Sequence, residues 1–192
     1  MRDSFLNIAE QNNRGLDLTT RWFGDFSWGT LTLDSQTTWT LETNQSTFAD
    51  FSTDFRGDIG SPELVGNLNA SVARGPWTAF WGFDWIGGQD NRPDRVRRGQ
   101  SQFQTIEGRL GVLKSEAEFT GFHSVSLSYE TEGSGWGGGW TLMGGVANLF
   151  DELPPAASSG SVTGLQGNSI LASQYTEANY GRRAFVRLSK SF

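Results

Sequence analysis

Apolar and polar residues alternate with period two along most of the chain. In RGLDLTTRW, Leu16, Leu18 and Trp22 fall on one parity and Asp17, Thr19 and Arg21 on the other. WGTLTLDSQTTWTLET sets Leu31, Leu33, Trp39 and Leu41 against Thr32, Asp34, Gln36, Thr38 and Thr40, and LVGNLNASVAR sets Leu68, Ala70 and Val72 against Asn67, Asn69 and Ser71. The most aromatic run, WTAFWGFDWI, places Trp77, Trp81, Phe83 and Trp85 opposite Thr78 and Asp84. HSVSLSYETE, WTLMGGVANLF and the closing AFVRLSKSF repeat the pattern. Alternation of this kind marks strands with two unlike faces, and no run has helical periodicity. The chain is therefore expected to be all-β, with about seven strands.

The connections alternate between short and long. Gly24-Asp25, Arg74-Gly75-Pro76 and GSGWGGGW read as tight turns, where glycine supplies positive φ. Residues 43–63, 87–121 and 150–179 read as long polar loops. Antiparallel hairpins with short turns at one end and long loops at the other are expected of a membrane β-barrel wall, with periplasmic turns and extracellular loops. Runs of about ten residues suffice to cross a bilayer when tilted. Trp22, Trp28, Trp77, Trp85 and Trp140 stand near predicted strand ends, where an aromatic girdle meets lipid headgroups.

Composition sharpens this picture. Only 36% of residues are apolar, yet 8 are Trp, 14 Phe and 25 Gly, which suits a thin apolar layer better than a deep core. Disordered chains are poor in large aromatics. A net charge of −6 argues against a nucleic-acid partner. With no cysteine and one histidine, His123, there is neither a disulfide nor a recognisable zinc set, and no metal or cofactor is expected. His123 lies on the apolar parity and reads as an interfacial residue. The carboxylates show no paired glycosidase spacing, and no nucleophile elbow, phosphate loop or dinucleotide fingerprint occurs, so no catalytic residue and no enzymatic activity are expected.

Three stretches together resemble the C-terminal part of the TonB-dependent receptors, transporters of Gram-negative outer membranes. NNRGLDL resembles the entry into a late barrel strand. GGVANLFDELPP, with Val146, Asn148, Leu149, Phe150 and Asp151, resembles the end of the penultimate strand and is the most specific of the three. GRRAFVRLSKSF resembles the closing strand, and its Ala184, Val186, Leu188 and Phe192 resemble the signal read by the barrel assembly machinery. Lys190 departs from that pattern; a lysine near the interface can snorkel at small cost.

The resemblance implies a single segment over residues 1–192, the last strands of a plugged barrel of about 22. Its expected place is the cell outer membrane, for energy-coupled uptake of a siderophore, a cobalamin-like cofactor or an oligosaccharide. The N-terminus has no apolar run of the roughly 7–15 residues of a secretory signal, and no plug domain or TonB box is recognisable, so the chain reads as a fragment that does not transport alone. Its implied partners are lipid, the remaining barrel and plug of the same receptor, the TonB complex through that plug, and the assembly machinery. Arg92, Arg95, Arg97 and Arg98 fall in a long loop and are candidate contacts for an anionic ligand. Asp17, Arg21, Asp34, Asn67, Asn69 and Asp84 would line the wet side. Two other readings stay open. A small free-standing outer-membrane barrel or porin calls for an even strand number, and a soluble carbohydrate-binding β-sandwich calls for aromatics between two sheets.

Overall fold

The period-two runs form strands that pair in chain order into one antiparallel sheet. The computed structural model describes residues 10–48, 51–90, 103–106, 108–112, 116–133, 138–157, 169–170 and 180–191. Its strands are β1 (Glu10–Phe26), β2 (Gly29–Phe48), β3 (Phe51–Asp54), β4 (Leu64–Arg74), β5 (Trp77–Ile86), β6 (Gln89–Asp90), β7 (Phe103–Ile106), β8 (Arg109–Val112), β9 (Glu116–Ala117), β10 (Thr120–Glu130), β11 (Trp140–Ala147), β12 (Ala156–Ala157), β13 (Ser169–Ile170) and β14 (Arg183–Lys190). The main sheet runs β1-β2-β4-β5-β10-β11-β14, with β3 added against β2. The seven expected strands are thus its continuous path, and β3 is an eighth member. Among the described residues β1 and β14 are its two edges, and the sheet does not close.

Two boundaries differ from the sequence reading. β1 and β2 are 17 and 20 residues long, well beyond a ten-residue crossing, so residues 43–48 belong to a strand. Alternation of hydrophobicity fades near Leu41, but ladder hydrogen bonds belong to the backbone and continue between polar residues. Glu10 still pairs with Ser46, Arg14 Nη1 lies 3.1 Å from Glu42 Oε2, and β3 extends the ladder from Asn44. The first turn is Ser27-Trp28, and Gly24-Asp25 stay within β1, Gly24 opposite Leu31. Gly29, at φ 141°, supplies the glycine-only backbone that releases the chain into β2. The second turn is Gly75-Pro76, with Gly75 at φ 55°.

The long connections carry their own small pairings: β6 with β9, β7 with β8, and β12 with β13. Two of them are tied together. Asp90 N donates to Gly57 O at 2.8 Å, and Gly60 N donates to the buried Gln89 Oε1 at 2.7 Å. Burial is concentrated here and at the strand ends. Ala117 is the buried hydrophobic residue among those described, and Gln89, Thr120 and Asn148 are the buried polar ones. Among the described residues the sheet itself has no packed core.

Candidate functional site

Register decides what the two faces of the sheet are made of, because a slip of one residue would exchange them. Here every strand places its apolar parity on the same side. Trp22 pairs with Leu33, Leu33 with Ala70, Ala70 with Trp81, Trp81 with Val125, Val125 with Val146, and Val146 with Ala184. One apolar line therefore crosses all seven strands. A second runs from Leu31 through Val72, Ala79, Leu127 and Gly144 to Val186.

Among the described residues nothing covers this face. Leu18 is 65% exposed, Leu127 49% and Leu188 62%, values foreign to a residue type that normally fills cores. A shallow groove of about 400 Å³ crosses it, lined by Trp77, Leu127, Tyr129, Leu142 and Val186. Contiguous exposed apolar area on this scale marks a surface that meets lipid or another apolar layer.

Aromatic residues gather at both ends of the face. At the short-turn end Phe26 stacks on Trp28 at 4.8 Å between ring centroids and meets Trp22 at 6.2 Å. Trp77 and Tyr129, register partners, meet at 4.6 Å. Lys190 Nζ stands 4.5 Å over the Trp140 ring, so the cation that breaks the apolar parity has an aromatic partner at the sheet border. Toward the long-loop end Phe83 stacks on Trp85 at 5.4 Å and on His123 at 4.5 Å, and Phe150 meets His123 edge-on at 5.1 Å. Trp77 and Trp85 lie eight residues apart on β5, about 27 Å along the strand. Of the five expected girdle residues, Trp28, Trp77 and Trp140 are thus on the short-turn side and Trp85 on the other, while Trp22 shares the register line of the mid-strand Trp81. His123 is held among rings, its backbone carbonyl accepting from Leu149 N at 2.7 Å.

The motif Val146–Asp151 is a capped strand end. Asn148 and Asp151 have φ of 51° and 60°, the left-handed region where Asn and Asp are the best-tolerated non-glycine residues. Asn148 is buried and satisfied at both ends of its amide: Nδ2 donates to Glu152 O at 2.7 Å and Oδ1 accepts from Glu152 N at 2.9 Å. Asp151 Oδ1 accepts from Arg182 N at 2.7 Å, which ties the turn to the start of β14. Leu149 and Phe150 reach back to His123 on β10. The motif thus fastens three strands at the long-loop end.

The opposite face is polar, and the six residues expected on it are all there. Asp34 pairs with Arg21 and with Asn69, and Asn67 pairs with Asp84. Arg21 Nε donates to Asp34 Oδ1, and Thr38 Oγ1 donates to Asp17 Oδ1 at 2.6 Å. An open cleft of about 450 Å³ lies beside the β1 irregularity at Arg14-Gly15, bordered by Gln11, Asn13, Thr38, Thr40, Ser61 and Val65. The sequence reading missed that this face also carries phenylalanines, Phe23, Phe80, Phe122 and Phe185. Each breaks its own strand's alternation singly, and only the cross-strand register brings three of them into line. Arg92, Arg95, Arg97, Arg98, Trp136 and Phe192 lie outside the described residues. No family model, curated protein or solved structure matches the chain.

Proposed function

We propose that this sheet is a section of the wall of an outer-membrane β-barrel, and that the chain is the C-terminal barrel segment of a TonB-dependent receptor. The observation that carries the membrane reading is the common register: all seven strands turn their apolar parity to one exposed face, and the other face is mostly polar with four phenylalanines among its residues. Aromatics border that face about 27 Å apart along β5, or about 20 Å along the normal at the usual strand tilt, the scale of a lipid-facing apolar band about 25 Å tall. A sandwich would need a second sheet on the same face.

The open edges support a larger wall. β1 and β14 are separated by six antiparallel steps and so run in the same direction. They cannot pair antiparallel with each other, and leaving both edges unpaired in hydrocarbon is costly, which favours further strands in the wall. An antiparallel barrel built on this sheet takes an odd number of further strands between β14 and β1, which makes the total even. The capped Val146–Asp151 turn adds to the family resemblance, because the side chains of Asn148, Phe150 and Asp151 each have a structural role there. In this reading lipid covers the apolar face, the receptor's other strands and plug complete the wall and its lumen, the assembly machinery receives the strands, and the chain alone transports nothing.

The test is whether the fold depends on an amphiphile. The purified chain, diluted from urea into buffer, is expected to aggregate. The same dilution into lauryldimethylamine oxide micelles or phospholipid vesicles is expected to recover a β circular-dichroism spectrum and resistance to protease. A monodisperse, folded chain in detergent-free buffer would sink the membrane reading.

A further inference from the structure

On the polar face one line across the sheet departs from its surroundings. Phe23 pairs with Thr32, Thr32 with Ser71, Ser71 with Phe80, Phe80 with Ser126, Ser126 with Gly145, and Gly145 with Phe185. A phenylalanine recurs at every third strand, about 14 Å apart at the usual strand spacing, with hydroxyls or glycine between. The rings are exposed by 72%, 37% and 42% in that order, although they stand on the wet side. Two of them lie close over glycine backbone. A Cβ on Gly82 would come within 3.1 Å of the Phe80 ring, and one on Gly145 within 2.6 Å of Phe185. Such rings are held low against the sheet and offer a fixed aromatic surface at little further loss of side-chain freedom.

The neighbouring lines say what that surface suits. On β2, β4, β5 and β10 the line on one side carries Thr30, Ala73, Thr78 and Ser128, and the line on the other carries Asp34, Asn69, Gly82 and Ser124. The one charge among these eight, Asp34, is engaged by Arg21. Over these four strands the aromatic surface is set among neutral hydroxyls and an amide, and the charges on this face stand beside the outer rings, Arg21 and Asp25 by Phe23 and Arg183 and Arg187 by Phe185. That central surface matches a ligand with apolar C–H faces edged by hydroxyl groups.

We infer that the Phe23–Phe80–Phe185 line is a binding track for a neutral linear oligosaccharide, whose ring faces lie on the phenyl groups while its hydroxyls bond the flanking Thr, Ser and Asn side chains. This deepens the transporter reading and rests on it, since it takes the polar face as the wet wall. The 14 Å spacing requires several sugar rings to reach two phenyl groups.

The experiment is calorimetric titration of the full chain, refolded in lauryldimethylamine oxide so that no glycoside detergent competes, with maltohexaose, cellohexaose and xylohexaose, and with ferric citrate as the anionic probe. At least one hexasaccharide is expected to bind, and ferric citrate is not. Replacing all three residues by leucine keeps apolar cover over the glycines but removes the aromatic faces, and is expected to weaken binding by about tenfold or more. Leu127→Ala, on the opposite face, is expected to leave it unchanged. Saccharide affinity equal in the leucine variant would reduce the rings to glycine cover and overturn the inference. So would tighter binding of ferric citrate, or no hexasaccharide binding by a chain that still needs detergent to fold; in that last case the membrane reading stands. A chain folded without detergent overturns the membrane reading by a separate readout.

Discussion

Trp85 packs over Gly66, its register partner on the adjacent strand β4. A Cβ built on Gly66 would fall against Trp85 Cζ2 and lie 2.7 Å from the backbone oxygen of Gln36 on the far side. The ring could move, but the backbone oxygen could not, so Gly66→Ala is expected to cost about 1–3 kcal/mol in urea unfolding from micelles. Gly144 is the control, because a Cβ there would meet only Phe185 O at 3.9 Å. Gly144→Ala should stay within about 0.5 kcal/mol of the parent. Equal costs at the two sites would contradict the packing of Trp85.

The two faces can be separated by a charge placed on neighbouring residues. Val125 sits mid-strand on the apolar face of β10, and Ser126 points to the other side. In vesicles Val125→Arg is expected to cost about 2–4 kcal/mol, as for arginine near the bilayer midplane. Ser126→Arg adds a cation to a wet surface and should fall within about 1 kcal/mol of the parent. Both substitutions insert the same side chain on the same strand, and the strand-propensity scale spans only about 1 kcal/mol, so the loss of valine alone would not account for the larger cost. Similar costs would mean that the register does not divide lipid from water.

Much of this fold is legible in period two because strand faces are a local property. Leu16, Leu18 and Trp22 announce their face without knowledge of any other strand, and so do Asp34, Asn67 and Asp84. What is not legible is the consequence of pairing. Phe23, Phe80 and Phe185 are far apart in sequence, and each looks like a lone exception until register aligns them. The extension of β2 to Phe48 is hidden because a backbone ladder needs no hydrophobic pattern. The first turn is hidden for a similar reason: Gly24 looks like turn chemistry, but it lies under the rings of Trp22 and Phe26, and Gly29 is the residue with positive φ. The Val146–Asp151 motif could be quoted from sequence, yet its physical role in fastening β10, β11 and β14 appears only with the amide bonds of Asn148.

That role gives a graded prediction. Asn148→Ala removes two hydrogen bonds to Glu152 and leaves a Cβ residue in the left-handed region without an amide to favour it. The expected loss is about 2 kcal/mol, from one buried polar arrangement and one strained backbone position. Asn148→Gly relieves the backbone part and should recover roughly half of it. Protease cleavage between residues 150 and 182 in the folded state should rise in the same order. If glycine proved as harmful as alanine, the side-chain bonds alone would carry the stability of the turn.

Orientation across the bilayer can be read from the tryptophans themselves. Trp81 lies at the middle of β5, whereas Trp28 is in the first turn and Trp140 begins β11. Lipids brominated near the chain ends quench indoles close to the bilayer centre and spare those at headgroup depth. Trp81→Phe should therefore remove a larger share of the quenchable emission than Trp28→Phe or Trp140→Phe, although each deletes one of the same 8 indoles. The substitution keeps a large apolar ring, so folding should survive at all three positions. Equal losses would leave the sheet lying along the interface, with Trp28 and Trp81 at one depth. A larger loss at Trp28 would turn the short-turn end inward, which no strand-crossing arrangement of this sheet permits.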